Sequence, residues 1–242
     1  MVRLPDKIDD PILEAGIEIR FRPNVPHEVI YGVLYQFLKE TYPISERLPI
    51  LQIPEEARSS ITSFQFLPYY RLRSPKTNYV VQIGAMLSVF VLRPYKGWNA
   101  LFEETKKVFS KLREIEIGQI QRCSLKYVDV FDGDVFTMLN LSISAEPELN
   151  LSGATMRFQS VFKQDEFACI LQLSNDIQIQ VDESQIIKGS LLDLEVIHDQ
   201  PIANFFERYP EVLNKAHQTE KRIFFGLLKE QTLHSLNPVY ND

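Results

Sequence analysis

The sequence predicts an α+β protein built on antiparallel sheet, and three observations carry that prediction. Apolar and polar residues alternate in short runs along most of the chain, which is the two-residue period of a half-buried strand. Two stretches of the first half instead place apolar residues three and four apart, the spacing of a helix with one buried face. The region from about 201 to 235 does the same at the end of the chain, after a series of strand-like runs.

The first element is ILEAGIEIRF, with Ala15, Ile17, Ile19 and Phe21 on one side and Glu14, Glu18, Arg20 and Arg22 on the other. Pro23 and Pro26 end it, and Pro26 suits the first position of a helix because its missing N–H would be unsatisfied there. From His27 to Thr41, the residues Val29, Ile30, Val33, Leu34, Phe37 and Leu38 predict an amphipathic helix, closed by Tyr42-Pro43. The stretch 43–59 holds three prolines and reads as an irregular connector. Two β-rich runs follow, 60–73 and 78–94, joined at Pro75-Lys76-Thr77. Gly97-Trp98 opens a second helix to about Ile115, with Leu101, Phe102, Thr105, Val108, Phe109 and Leu112 as its stripe. A strand over 118–131 stops at Asp132-Gly133-Asp134.

The first half is therefore predicted as β-α-β-β-α-β, the ferredoxin-like order. After it come β runs at 136–145, 154–163, 167–174, 177–181 and 189–197, and then a long helix broken at Pro210. The expected organisation is a split βαβ half over 1–134 and a β-meander with C-terminal helices over 135–242, packed rigidly on the first half.

Composition bounds the function. Hydrophobic residues make up 45% and charged residues 24%, enough to bury a core. The net charge of −6 conceals an asymmetry: 18 basic against 17 acidic residues up to 135, and 8 against 15 beyond it. An acidic chain is a poor non-specific nucleic-acid binder, since that binding rests on neutralising phosphates. Tyr69 and Tyr70 with the first-half arginines are the nearest thing to a base-stacking surface, without the Gly/aromatic consensus of RNA-binding sheets. The opening residues lack the apolar core of a signal peptide, and no apolar stretch approaches the roughly 20 residues of a membrane span. A cytoplasmic protein without membrane association is expected. Cys123 and Cys169 lie far apart, with no metal-ligand spacing around them, and read as buried thiols.

No HxxxH, GxSxG, P-loop or GxGxxG motif occurs, so the reading leans away from catalysis and assigns no catalytic residue or cofactor. His217 sits at the edge of the last helix's apolar stripe, where a hydrogen-bonded core histidine is expected rather than a general base. Alternation supplies the one informative constellation. Glu18, Arg20 and Arg22 face away from Ile17, Ile19 and Phe21, while Arg122, Ser124 and Lys126 face away from Cys123, Leu125, Tyr127 and Phe131. Arg71 and Arg73 share a face with Gln65. Arg20, Arg22, Arg122 and Lys126 are thus candidate contacts for an anionic nucleotide or phosphorylated ligand, because guanidinium forks match phosphate and carboxylate. The competing reading pairs these cations with acids of the second half such as Asp193 and Glu195.

Gly16-Ile17-Glu18-Ile19-Arg20 resembles the second half of the E-x-E-x-K signature of the triphosphate tunnel metalloenzymes. Gly16 stands where that family has its first Glu, and Arg20 where it has Lys. The resemblance implies Glu18, Asp193 and Glu195 as Mg²⁺ ligands. A second resemblance spans nearly the whole chain: Pro11-Ile12-Leu13-Glu14-Ala15; Tyr95-Lys96-Gly97-Trp98 with Phe102; Arg122 through Asp129; Leu191-Leu192-Asp193-Leu194; and Leu213-Asn214-Lys215-Ala216-His217 with Phe224-Phe225. In this order and spacing they resemble a sporadically distributed prokaryotic family of uncharacterised proteins of about this length. Lys126 and Asp129 stand where that family tends to have Arg and Asn. Its patchy distribution implies regulation or defence rather than core metabolism. The leading expectation is a non-enzymatic binding or regulatory module acting through a protein partner or as a homodimer. The alternative is an enzyme or sensor that holds an anionic ligand on the basic sheet face.

Overall fold

The structure, a computed structural model, describes residues 4–77, 79–92, 95–143, 153–180 and 186–240. It is a mixed α+β chain with antiparallel strand pairing, N-terminal β-α-β elements, a meander and a C-terminal helix. Its residues divide into two compact units, each gathered from separate stretches of sequence. One holds 1–13, 127–196 and 216–242; the other holds 14–126 and 197–215.

In the 14–126/197–215 unit the hydrogen-bonded strand order is β2-β3-β4-β5-β1-β6. Here β1 is Ile12–Pro23, β2 Ile44–Arg47, β3 Pro68–Arg73, β4 Val80–Gly84, β5 Leu87–Leu92 and β6 Gly118–Phe131. The pairs β1·β5, β2·β3, β3·β4 and β4·β5 are antiparallel. Alternation along β1 is as sharp in space as in sequence: Ala15, Ile17, Ile19 and Phe21 are buried, and Glu18 and Arg20 partly so. Helix α1, His27–Leu38, buries Ile30, Leu34 and Leu38. Val29 and Phe37, also spaced for the stripe, are exposed, so the buried face is narrower than expected.

The connector expected over 43–59 is ordered as β2, a 3-10 turn over Pro49–Gln52 and helix α2, Glu55–Ser60. The expected strand over 60–73 survives only as β3. Its first part is helix α3, Thr62–Gln65, which removes Gln65 from the face of Arg71 and Arg73. The expected strand over 78–94 is a hairpin, because Gly84-Ala85-Met86 turns the chain between β4 and β5; residues 78, 93 and 94 lie outside the described residues. A side chain at 84 would meet Leu67 O at 2.4 Å, so glycine is required for that close approach. Helix α4, Trp98–Ile115, buries Leu101, Thr105, Val108, Phe109 and Leu112 and ends on Glu116 in the left-handed conformation. Phe205 and Tyr209 cover Phe109, with ring centroids 5.5 and 5.0 Å away.

In the other unit the strand order is β6-β9-β8-β7, with β7 Arg157–Gln164, β8 Phe167–Gln180 and β9 Ile186–His198. β7 and β8 form one antiparallel hairpin from Arg157↔Ser174 to Gln164↔Phe167. The runs expected at 167–174 and 177–181 are one continuous strand as far as 180. Asn175 keeps it in register by accepting from Met156 N at 2.7 Å and donating to Ala154 O at 3.1 Å. Instead of a strand over 136–145, Val135–Met138 is a short helix, α5, capped by Asp134, whose carboxylate accepts from Phe136 N at 3.0 Å. Residues 144 and 145 of that run lie outside the described residues.

The last long helix, α6, runs unbroken over Phe205–Leu227. Pro210 lies inside the helix, where it removes the bond its N–H would give to the residue four before it without ending the helix. The break comes at Leu228-Lys229, before α7, Glu230–Ser235, because residues 138–140 capture the backbone there. Asn140 N donates to Leu227 O, Asn140 Nδ2 to Leu228 O, and Lys229 N to Met138 O.

Candidate functional site

The outer side of β1 brings three of the sequence-predicted residues together. The Glu18 Oε1 atom lies 2.7 Å from Arg20 Nε and 3.9 Å from Arg122 Nη2 of β6. All three side chains are partly buried, at 22%, 28% and 18% exposure. Alternation produces the first contact directly, since residues 18 and 20 are next neighbours on one strand face. The Arg20 guanidinium also lies 4.5 Å above the Phe66 ring. The Glu18 carboxylate therefore accepts a hydrogen bond from Arg20 and stands at ion-pair distance from Arg122, in a partly desolvated setting where both interactions are stronger than in water. Glu18, an acid that meets both arginines, lies on β1 beside Arg20.

The other predicted residues are distributed differently. Arg22 is exposed on β1, and Lys126 is half-buried on β6. Arg71 and Arg73 each lie 3.4 Å from Glu46 on the neighbouring strand. Asp193, buried, and Glu195, half-buried, lie on β9 in the other unit. Tyr69 and Tyr70 are core residues at 4% and 7% exposure, so neither offers a face for stacking bases. Both cysteines are free and buried; burial pushes the Cys169 thiol up to about 11, and Cys123 upward as well.

Sequence reasoning missed two buried carboxyls, Asp129 and Glu220, and the exposed Asp10 that interacts with them, in the 1–13/127–196/216–242 unit. Asp129 is 1% exposed, and neither carboxyl oxygen has a hydrogen-bond partner among the described residues. Burial raises its pKa well above the usual carboxylate range, with Asp10 and Asp193 adding to the shift. Glu220 of α6 is buried and raised in the same way, by burial first and then by Asp129. Asp10 is raised by desolvation, against the opposing pull of Lys7. Next to these carboxyls the Tyr127 hydroxyl lies 3.1 Å from His217 Nδ1. Burial and Lys221 bring the His217 imidazole down to about 4, so it is a neutral, hydrogen-bonded core histidine at pH 7.

The signals for the buried pair were in the sequence. Asp129 shares the parity of Cys123, Leu125, Tyr127 and Phe131, the buried side of β6. Glu220 sits four residues from Ala216 and from Phe224 on the apolar stripe of α6. A charged residue on an apolar face is the observation that marks an unusual group.

Three of the phrases quoted above meet through side chains, the one at 213–217 touching the other two. Trp98 Nε1 donates to Asn214 Oδ1 at 3.1 Å, and Tyr127 meets His217 as described. Among the described residues no three His, Cys, Asp or Glu side chains are grouped to hold a metal ion, and no helix is long and apolar enough to cross a membrane. No protein-family model matches the chain, and neither does any curated protein.

Proposed function

We propose that the chain is a non-enzymatic binding or regulatory module of the cytoplasm, acting through a protein partner or a second copy of itself. The observation that carries this reading is Glu18 seated between Arg20 and Arg122. Guanidiniums that face a carboxylate of the same fold support a role in strand orientation and rigidity, and the negative charge between them disfavours an anion beside it. Recognition then falls to exposed side chains, and Val29 and Phe37 on α1 and Val161 on β7 are large apolar groups of that kind, with Val161 65% exposed. The strand order β6-β1-β5-β4 supports a ferredoxin-like reading of that half, which by itself assigns no chemistry.

Light scattering coupled to sizing, with co-purification from the native host, tests the proposal. The expected result is a concentration-dependent dimer or a partner that co-elutes stoichiometrically. A monomer at every concentration, with no partner and with measurable turnover of a small molecule, overturns it. Glu18→Gln addresses the carrying observation. It leaves two partly buried cations without their carboxylate and is expected to lower stability by about 1–3 kcal/mol in urea unfolding. It should leave phosphate affinity unchanged; a new saturable phosphate site in this variant would move the reading toward an anion-binding face.

A further inference from the structure

Helix α2 carries an arginine with buried donors that no described residue accepts. The Nε and Nη1 atoms of Arg58 are buried and have no hydrogen-bond partner among the described residues. Its Cζ lies 4.7 Å from the centroid of the Tyr69 ring. That contact satisfies the flat face of the guanidinium but none of its N–H groups. A guanidinium cannot shed its proton to escape burial, so its donors wait for an acceptor.

Arg58 lines a cavity of about 290 Å³, at the small end of the range for ligand sites. His27, Ser59 and Gln65 supply the rest of its polar side, and Tyr69 and Met86 an apolar wall. Glu55 also lines it, yet forms no ion pair with Arg58 among the described residues. The walls are held in place. Gln65 Nε2 donates to Ser59 O at 2.7 Å, the Ser59 hydroxyl donates to Glu55 O at 2.9 Å, and His27 meets Tyr69 edge-on at 4.9 Å. Burial lowers the His27 pKa; Glu28 opposes that shift and Arg58 adds to it. An arriving anion would reverse part of it.

We propose that this pocket binds the oxyanion of a small phosphorylated or carboxylated molecule, with Arg58 as counter-charge and the Tyr69–Met86 wall seating the ligand's apolar body. None of Glu18, Arg20 and Arg122 lines this cavity, and the proposal does not depend on the partner-binding reading.

The test titrates the full chain with inorganic phosphate and, separately, with benzoate, against chloride at constant ionic strength. Two signals are read: the melting temperature and the His27 imidazole resonance across pH. At least one anion should raise the melting temperature saturably and move the His27 titration to higher pH. Arg58→Gln should weaken that binding by about tenfold or more, and without ligand it should melt no lower than the wild type. Arg122→Gln should bind as the wild type does. Phosphate acting alone would identify a phosphoryl ligand, and benzoate acting alone a carboxylate. The proposal is overturned by the absence of a saturable response to both anions, by undiminished binding in Arg58→Gln, or by equal loss in Arg122→Gln. Should Arg58→Gln not fold, a His27 titration that neither anion moves overturns it in the wild type.

Discussion

Replacing Asp129 by Asn is expected to leave stability unchanged near pH 4, raise it at pH 8 and flatten its decline on the alkaline side. Asp129 is buried on β6 without hydrogen-bond partners for its oxygens among the described residues, and its native pKa lies well above the ordinary 3.8. The native state therefore holds a proton that the unfolded chain has released. Stability from this group is fully present below the unfolded pKa and is lost as pH climbs toward the native value. Each such group contributes a slope of up to about 1.4 kcal/mol per pH unit across that window. Glu220→Gln should act in the same direction, since Glu220 is raised by the same burial and by Asp129 itself. The two effects should not add, because each carboxyl is part of the other's environment. His217 works in the opposite sense. Its native pKa is about 4 against 6.5, so its contribution is present above pH 6.5 and is lost as pH falls toward 4. That loss amounts to about 3 kcal/mol. Urea unfolding at pH 5, 7 and 9 checks the whole pattern. A uniform destabilisation of Asp129→Asn at all three would show that the carboxyl makes bonds the fold needs.

Gly118→Ala is expected to destabilise by about 3–5 kcal/mol. Gly118 opens β6 with φ near +119°, a conformation that side chains rarely adopt. A Cβ there would lie 2.0 Å from Arg22 O and 3.0 Å from Asn24 N, and both are backbone atoms that cannot swing aside. Asn24 N donates to Ile117 O at 3.2 Å, so the two chain segments are already fastened at that point. The contrast is Gly32, exposed in the middle of α1 with nothing within 4 Å of its missing side chain. Gly32→Ala should raise stability by up to about 1 kcal/mol through helix propensity alone. Chemical denaturation of both variants gives the comparison, and equal midpoints would remove the steric argument.

Where one face of an element is buried, the sequence was legible. Ala15, Ile17, Ile19 and Phe21 on β1, and the five buried residues of α4, were assigned to their faces by period alone. Short elements were not legible, because periodicity needs more turns than they have. Thr62–Gln65 is one turn of helix inside a run rich in aromatic and β-branched residues, and its composition read as strand. Gly84 divides what looked like one strand, and its requirement comes from Leu67 O, an atom whose proximity only the fold reveals.

The candidate sites divide along the same line. Parity placed Glu18 and Arg20 side by side and indicated the face of Asp129, although Asp129 was passed over. Arg58 lay in a stretch read as irregular, so no face could be assigned to it. Its partnership with Tyr69 depends on a strand that begins ten residues later.

The gathering of each unit from distant stretches has a consequence for synthesis. Lys7 bridges Val239, and Leu139 bridges Leu228, so the unit holding 1–13 cannot close until residue 239 has left the ribosome. At 5–20 residues per second, the amino-terminal segment waits about 10–50 s for its partner. The other unit waits for Phe205 and Tyr209 before Phe109 is covered. Nascent chains therefore carry uncovered strand and helix faces until residues 205–239 emerge.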